Sequence, residues 1–384
     1  MHIVQLAPPW FPIPPTGYGG IERVIYDLAE RMVIAGHKVT LFAPAGSRTS
    51  ARLIETVPEG IGLDLTWTEK ERFFAETGST AYAKAATLGA DIVHDHTDYL
   101  VEAEYPVPVV HTVHGPPTEY NLDRYRELSR RGHAFIAISG RQRHLFFEAA
   151  ERRFGAGEHI SFIGVVHNPT DVASVPFYPA SAKLGYVAFM GRCHWEKGPD
   201  LAIRVAIAAG IPLKMGLRIT TEEQPYYEAV VRPLLEMAGS LVENVGEVGG
   251  VTRDDLIGKA SAVLFTSPWE EPFGLVLTEA AARGTPVVAL NRGAAPEVVR
   301  DGVTGILCRN EAELTRALPR AMALDPMACR THACARFDRA AVAARYIDAF
   351  ELVPDVVAAI GHKQDGVSLP VASNDSGSIS TSIA

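Results

Sequence analysis

Short apolar runs and amphipathic segments alternate along the chain. In the first half, apolar residues predict strands at His2–Ala7, Lys38–Phe42, Asp91–His94, Val107–Val113 and Phe135–Ser139. Between the first two runs, Gly20–Ala35 places apolar side chains at helical spacing, and Gly36 stands just past its predicted end. A second helix is predicted at Gly140–Arg153. This half therefore predicts alternating strands and helices.

The same pattern restarts in the second half. Strands are predicted at Gly185–Met190, Leu213–Ile219, Ala262–Thr266 and Pro286–Leu290, and helices at Pro199–Ala209 and from about Leu275 to Arg283. Each strand is nearly all apolar, which is typical of parallel strands that are buried on both faces. Because such strands alternate with helices, right-handed βαβ units are expected. We predict an α/β protein of two Rossmann-like, doubly wound domains.

A segment rich in Pro, Ala and Ser, Asn168–Lys183, indicates the domain boundary. We place the first domain at residues 1–172 and the second at residues 173–345. We predict a C-terminal helix at residues 346–360, and we expect it to pack back toward the first domain. Residues 361–384 are polar and Ser-rich, and we expect them to be disordered.

Length, charge and cysteine content narrow the class of protein. The 384 residues are enough for two domains with filled cores, and a net charge of −9 argues against general nucleic-acid binding. The four cysteines form no CxxC pair and no zinc spacing. The N-terminus does not resemble a signal peptide, and no apolar run reaches the ~20 residues that span a bilayer. These features predict a reduced, cytoplasmic protein.

The segment EPFGLVLTE, which begins at Glu271, follows a predicted strand, and doubly wound sheets bind ligands beyond the carboxyl ends of their strands. Pro272 and Gly274 delay the next helix, so the free amides of residues 274–276 suit a phosphate. Glu279 lies about one turn inside the helix, where it can accept hydrogen bonds from ribose hydroxyls, and Glu271 can reach a sugar. In the alternative interpretation Glu271 is solvated and Glu279 only complements the helix dipole.

The segment FMGRCHWEKG (Phe189–Gly198) follows the first strand of the second domain. Its Arg192 and Lys197 lie at a strand end, where two cations can neutralise a diphosphate leaving group. The alternative is two ordinary surface cations. The segment is not a P-loop, because Glu196 replaces the second glycine and Gly198 replaces Ser or Thr.

Glycines open the first predicted helix in GYGGIE (Gly17–Glu22), where they let the backbone approach a ligand. A dinucleotide site needs glycine at position 22, and the second strand ends in Phe42-Ala43 without an acidic residue for a ribose. These departures argue against a nicotinamide-dependent oxidoreductase.

Histidines follow two strands of the first domain. HTVHG (His111–Gly115) ends an apolar strand, where a histidine can touch a sugar, although a lone histidine is more often structural. HDHTD (His94–Asp98) contains metal-ligand residue types. Neighbouring side chains of a strand point to opposite faces, so these five cannot converge, and we expect no metal site there.

Together the motifs resemble the retaining glycosyltransferases of family 4, also called glycosyl transferases group 1. The resemblance rests on Glu-x7-Glu with an inner Phe-Gly, an Ala-rich helix and Gly-Thr-Pro-Val-Val, all within EPFGLVLTEAAARGTPVVALNRGAAPEVVRDGVTGIL. Gly-Arg…Glu-Lys-Gly and Gly-Gly-x-Glu match two further motifs, whereas Asn168-Pro169-Thr170-Asp171 departs from the family's Asn-Gly-Val-Asp. The resemblance implies the GT-B fold, in which two Rossmann-like domains face a cleft.

The resemblance also implies roles for individual residues. Catalytic roles fall on His114, Glu271, Arg192 and Lys197. Donor binding falls on Gly19, Gly20, Arg192, Lys197, Glu271, Phe273, Gly274, Leu275, Val276 and Glu279, and the acceptor side on Glu22 and His96. In this family the leaving phosphate is thought to accept the proton of the acceptor. We therefore expect no separate nucleophile, no metal and no cofactor beyond the nucleoside-diphosphate sugar.

We predict a retaining glycosyltransferase that moves a sugar from a nucleoside-diphosphate sugar to a glycan, lipid or small-molecule acceptor. The alternatives are a non-catalytic or epimerase-like sugar-nucleotide binding protein and, with less support from the motifs, an oxidoreductase. Base contacts are expected near Gly246–Val248. A basic, aromatic stripe from Arg141 to Arg153 indicates either peripheral contact with the inner face of a membrane or an ordinary solvated helix.

Overall fold

The computed structural model describes residues 1–17, 19–62, 65, 67–97, 106–157 and 160–353. These residues form two parallel β-sheets, each flanked by helices and each with its own buried core. The first sheet lies within residues 2–165 and the second within residues 187–308. The predicted α/β class and the two Rossmann-like domains are confirmed.

Seven parallel strands form the first sheet in the described part of the chain. They are β1 (His2–Leu6), β2 (Lys38–Ala43), β3 (Arg52–Glu55), β4 (Ile92–Asp95), β5 (Val109–Val113), β6 (Ala134–Ala137) and β7 (Phe162–Val165), in the order β3-β2-β1-β4-β5-β6-β7. The helices of this half are α1 (Gly20–Ile34), α2 (Trp67–Thr87), α3 (Glu119–Arg130) and α4 (Gly140–Phe154). The strand order reverses between β1 and β4, which opens a crevice at the carboxyl edge of the sheet.

Six parallel strands form the second sheet of the described residues. They are β8 (Val187–Arg192), β9 (Leu213–Arg218), β10 (Val242–Asn244), β11 (Ala262–Phe265), β12 (Val287–Leu290) and β13 (Gly305–Cys308), in the order β10-β9-β8-β11-β12-β13. The helices are α5 (Pro199–Ala209), α6 (Gln224–Tyr226), α7 (Arg232–Ala238), α8 (Gly250–Gly258), α9 (Leu275–Ala282), α10 (Ala295–Val298), α11 (Glu311–Ala321) and α12 (Pro326–Phe337). A π-helical turn, Tyr227–Val231, joins α6 to α7. None of the described helices combines the length and apolar character needed to cross a membrane.

Among the elements that the sequence pattern does not predict are β3, β7 and α3. The two strands lie at opposite edges of the first sheet and are only partly buried. They therefore lack the continuous apolar run of the central strands. α3 buries Leu122, Tyr125 and Leu128 within a run of charged residues.

The chain returns from the second domain to the first through its last described helix. α13 (Arg339–Glu351) packs on α1 and buries Val342, Tyr346 and Phe350 against the core of the first sheet. The helix expected at residues 346–360 thus begins earlier in the chain, at Arg339. Residues 354–384, which include the tail expected to be disordered, lie outside the described residues.

Two chain segments cross between the domains, and they run side by side. The amide of Thr170 donates to the carbonyl of Phe337 at 2.8 Å, next to a parallel bridge between Thr170 and Asp338. Arg339 then contacts Asp27 at 3.2 Å and Asp171 at 2.8 Å. The two crossings therefore form one joint between the domains.

Candidate active site

A cleft of about 340 Å³ lies between the carboxyl edges of the two sheets. The residues predicted to bind the donor all line it: Gly19, Gly20, Arg192, Lys197, Glu271, Phe273, Gly274, Leu275, Val276 and Glu279. His114 lines the cleft as well, whereas Glu22 and His96 are not among its lining residues. The sequence motifs of both domains thus converge on one cavity.

Two helix N-termini face each other across this cleft. α1 begins at Gly20 and α9 at Leu275, and a β-carbon at Gly20 would lie 3.0 Å from Cδ1 of Leu275. Gly274, directly before α9, adopts a left-handed conformation (φ +83°) that glycine takes without strain. The first amides of a helix have no partner within it, and its dipole places positive charge at this end. This part of the cleft therefore suits an anion.

Lys197 and Glu271 form an ion pair in the wall of the cleft. Nζ of Lys197 lies 2.6 Å from Oε2 of Glu271, and Nε1 of Trp269 donates to the same oxygen at 2.8 Å. Both charged side chains are mostly buried, with 23% and 12% of their surface exposed. Oε1 of Glu271 has no hydrogen-bond partner among the described residues, so it is left for a ligand hydroxyl.

Two glycines fix the backbone beside this ion pair. Gly198 ends the turn that carries Lys197, and a β-carbon there would overlap the carbonyl oxygen of Thr266. Gly293 (φ +57°) lies under Glu271, where a β-carbon would come within 2.5 Å of the Glu271 amide nitrogen. A side chain at either glycine would displace the backbone that positions the pair.

Two acidic side chains hold Arg192 at the end of β8. Its Nη1 donates to Oε1 of Glu223 at 3.1 Å, and its Nη2 lies 3.5 Å from Oε2 of Glu196. Arg192 is 31% exposed, and it lines the cleft. Because a guanidinium has five N–H groups, Arg192 is oriented by its partners and still has donors for a phosphate.

Arg253 of α8 grips the carboxylate of Glu279 with both ends of its guanidinium. Nη1 donates to Oε1 at 2.6 Å, and Nη2 donates to Oε2. Burial on its own would raise the pKa of Glu279, but Arg253, with Arg283 and Arg23 nearby, lowers it below its usual value. Glu279 is thus held as a carboxylate in one orientation. Arg253 is absent from the site residues predicted from the sequence. The only sequence feature that points to a role for it is its place near the N-terminus of a helix, where the helix dipole disfavours a cation.

His114 and Asn168 add two polar groups to the cleft. Burial lowers the pKa of His114 to about 3, so the ring is neutral at pH 7. Asn168 is 4% exposed and lines the cleft. Its Oδ1 has no hydrogen-bond partner in the part of the chain that the structure describes. Asn168 stands in the motif that departs from the family pattern, and the sequence therefore supports no role for it.

The structure places Glu22 beneath the glycine loop and away from the cleft. Its side chain is 2% exposed, and a β-carbon at Gly19 would lie 2.9 Å from its Oε2. Burial raises the pKa of Glu22 to about 7. The next residue, Arg23, lines the cleft instead and donates from Nη2 to the carbonyl of Gly17 at 2.6 Å. The side chain of Glu22 therefore does not contact the cleft, although the sequence predicts an acceptor-side role for it.

In the segment HDHTD, strand alternation places His94 and His96 on one face, with ring centroids 4.0 Å apart, and Asp95 on the other. Nε2 of His94 bonds Oγ1 of Thr112 at 2.7 Å, and Nδ1 of His96 lies 3.0 Å from Nε2 of His114. Asp95 accepts a hydrogen bond from the hydroxyl of Tyr82. Among the described residues, which exclude position 98, no three His, Cys, Asp or Glu side chains are arranged to hold a metal ion.

Several side chains of the basic, aromatic stripe along α4 are paired or buried within the protein. Nε of Arg141 donates to Glu270 of the second domain at 2.8 Å, and Nε of Arg153 donates to Asp123 at 3.0 Å. Phe146 is fully buried. These contacts account for Arg141, Arg153 and Phe146, whereas Phe147 of the same helix is 40% exposed.

The chain is similar to known glycosyltransferases. The family model described as Glycosyltransferase Family 4 matches residues 18–174, and the one described as Glycosyl transferases group 1 matches residues 185–323. The chain is 28% identical to a glycogen synthase of Mycobacterium tuberculosis (strain CDC 1551 / Oshkosh), over 85% of this chain and 87% of the relative. It is 28% identical to a D-inositol 3-phosphate glycosyltransferase of Salinispora arenicola (strain CNS-205), over 84% and 85%.

Solved structures agree with this assignment. AviGT4, a glycosyltransferase involved in avilamycin A biosynthesis, is 26% identical and superposes with a TM-score of 0.65, covering 92% of this chain and 97% of its own. Anabaena HepE in complex with UDP and glucose, at 20% identity, superposes with a TM-score of 0.66 over 91% and 99%. Fold and comparisons together define a GT-B glycosyltransferase that uses nucleotide-sugar donors. The chain belongs to glycosyltransferase family 4.

Proposed function

We propose that the protein is a retaining glycosyltransferase whose donor diphosphate lies between the two opposed helix N-termini. The observation that carries this proposal is the convergence of the α1 and α9 N-termini with Arg192 and Lys197 on one cavity. Fixed donors and cations of this kind stabilise the negative charge that develops on a departing diphosphate. They act most strongly when the site excludes water.

The other polar groups of the cleft suit a sugar and a ribose. Oε1 of Glu271, the amide of Asn168 and the ring of His114 are available to sugar hydroxyls. Arg253 occupies one lone pair on each oxygen of Glu279, and a carboxylate oxygen has a second lone pair for a ribose hydroxyl. The base then falls near Val248, which lines the same cavity.

We infer that the departing phosphate, and no side chain, takes the proton of the acceptor. Glu271 and Glu279, two carboxylates of the cleft, are held in ion pairs by Lys197 and Arg253. Arg253 also lowers the pKa of Glu279 below its usual value, which makes this carboxylate a weak base. In this scheme the bond from the anomeric carbon to the phosphate oxygen breaks while the acceptor oxygen bonds to that carbon on the same face. The acceptor proton passes to the phosphate oxygen, and no metal or further cofactor is required.

For the acceptor we propose a chemical class and no single compound. The two curated relatives named above carry different names, a glycogen synthase and a D-inositol 3-phosphate glycosyltransferase. We propose a carbohydrate, lipid-linked or small-molecule acceptor that enters from the first domain. A cytoplasmic location is proposed because the cysteines are free thiols, three of them buried.

A thermal-shift screen against UDP-, GDP- and ADP-sugars, followed by transfer assays with and without EDTA, tests this function. Proton NMR of the product gives its anomeric configuration, and retention with activity in EDTA is expected. Lys197→Ala is expected to lower turnover ~100-fold or more, because it removes a cation from the leaving group. Lys214→Ala is the matched control, since Lys214 pairs with Glu243 outside the cleft. Near-normal transfer by Lys197→Ala would contradict the assignment.

A further inference from the structure

His96 and His114 form a hydrogen-bonded pair beside the cleft, and only His114 reaches the cleft. Nδ1 of His96 lies 3.0 Å from Nε2 of His114, with the ring planes 23° apart. His96 is 2% exposed and does not line the cavity, whereas His114 is partly exposed and lines it. Any effect of His96 on a ligand must therefore pass through His114.

Both rings are neutral at pH 7. Burial lowers the pKa of His114 to about 3, and burial, with His94, His114 and His111 nearby, lowers the pKa of His96 well below its usual range. A neutral imidazole carries one proton, and the bond between the rings needs one donor and one acceptor. Either ring can donate in principle, and the choice fixes the tautomer of both.

The second nitrogen of His96 decides between the two arrangements. Nε2 of His96 is buried and has no hydrogen-bond partner among the described residues. If His114 donated, the proton of His96 would sit on Nε2 as a buried N–H without an acceptor, which is rare in folded proteins. If His96 donates, Nε2 is a bare ring nitrogen, for which the lack of a partner is the smaller penalty.

We propose that His96 is a positioning residue that donates its Nδ1 proton to Nε2 of His114 and so fixes the proton of His114 on Nδ1. His114 then offers the cleft an N–H donor and not a bare nitrogen. An oxygen of the donor sugar accepts this hydrogen bond, so the site selects sugars with a hydroxyl or carboxylate at that position over their deoxy analogues. The sugar contact rests on the proposed function, but the position of the proton does not.

Nitrogen-15 NMR of histidine-labelled protein tests the proton position without any substrate. Protonated and bare ring nitrogens resonate in separate regions, and His114→Asn assigns the signals by removing those of His114. The unliganded protein at pH 7 is expected to show a bare Nε2 and a protonated Nδ1 for His114. A proton on Nε2 of His114 would overturn the inference even if the protein is an active glycosyltransferase.

Two variants of His96 connect the tautomer to turnover. His96→Asn keeps an N–H donor near the former Nδ1, and His96→Leu removes it. With UDP-glucose as the probe, His96→Leu is expected to remove the hydrogen bond that fixes the His114 proton on Nδ1 and to lower kcat about tenfold, with UDP affinity unchanged. His96→Asn is expected to restore both. Equal losses in the two variants, or none in His96→Leu, would overturn the positioning role. If the unaltered protein does not turn over UDP-glucose, UDP-glucose is not its donor. The NMR measurement then still decides whether the proton of His114 lies on Nδ1.

A second buried histidine pair provides the control. Nε2 of His111 lies 2.9 Å from Nδ1 of His133, and neither ring lines the cleft. His133→Leu is expected to change the ring signals of His111 and leave kcat within about twofold. If His133→Leu lost as much turnover as His96→Leu, both losses would come from general disruption of the buried histidines. That result would overturn the inference.

Discussion

At the scale of single residues, the bidentate ion pair of Arg253 and Glu279 fixes the carboxylate that we propose binds the ribose. Lysine presents one point charge and cannot hold both carboxylate oxygens, so Arg253→Lys frees Glu279 to rotate. We expect the dissociation constant of UDP to rise about tenfold, as measured by isothermal titration calorimetry. Arg320→Lys, on the exposed face of α11, is the control. Unchanged affinity in Arg253→Lys would show that the ribose does not depend on this pair.

Glu22 gives the stability of the protein a pH dependence. Burial raises its pKa to about 7 from an ordinary 4.5, so between these pH values the unfolded chain loses a proton that the folded protein keeps. The folded state therefore loses stability as pH rises through this window, by about 1.4 kcal/mol per pH unit from this one group.

The variant Glu22→Gln stays neutral at every pH and should escape this loss. Relative to the unaltered protein, we expect it to gain on the order of 2–3 kcal/mol in the free energy of unfolding between pH 5 and pH 8. Urea denaturation at both values measures the gain, with surface Glu311→Gln as the control. A difference that does not change with pH would mean that Glu22 is already ionised in the folded protein.

At the scale of elements, α13 completes the core of the first domain although it follows the second domain in sequence. Phe350 is 2% exposed in that core, whereas Leu352, two residues later, is 51% exposed. We expect Phe350→Ala to lower the free energy of unfolding by about 3–5 kcal/mol and Leu352→Ala to change it little. Chemical denaturation followed by fluorescence measures both. Similar small losses would show that the helix is only loosely docked.

The sequence predicts elements best where one local cause determines them. Central strands such as β5 are buried on both faces and carry apolar runs, and Gly274 sets the start of α9. The edge strand β3 lacks that burial and therefore that signal. The pairing of Arg253 with Glu279 depends on how closely α8 approaches α9, which no local pattern encodes. Glu22 shows the opposite case, because its motif places it near the cleft and the fold turns its side chain away.

At the scale of the whole molecule, Glu297 of α10 ties the second domain to the first. Its carboxylate accepts hydrogen bonds from the amides of Gly140 and Arg141, at the N-terminus of α4, at 2.8 and 2.6 Å. It also contacts Nε2 of His167 at 3.2 Å. Charge at a helix N-terminus strengthens such a contact, so it favours one relative placement of the domains.

Removing this carboxylate should let the domains separate without unfolding either. For Glu297→Ala without ligand, we expect the radius of gyration from small-angle X-ray scattering to rise by on the order of 1 Å above the ~21 Å of a compact chain of this length. Glu311→Ala serves as the control, since Glu311 pairs with Arg204 inside the second domain. An unchanged scattering profile for Glu297→Ala would assign the domain arrangement to the paired crossings instead.

The return of α13 also limits how this enzyme can be recombined with its relatives. A first half cut after residue 172 would lack Val342, Tyr346 and Phe350, and would expose the apolar face that they cover. A chimera that exchanges the first domain must therefore carry two pieces of one parent, residues 1–172 and the terminal helix. The second domain can be exchanged as one insert between them, which makes it the easier of the two domains to transplant.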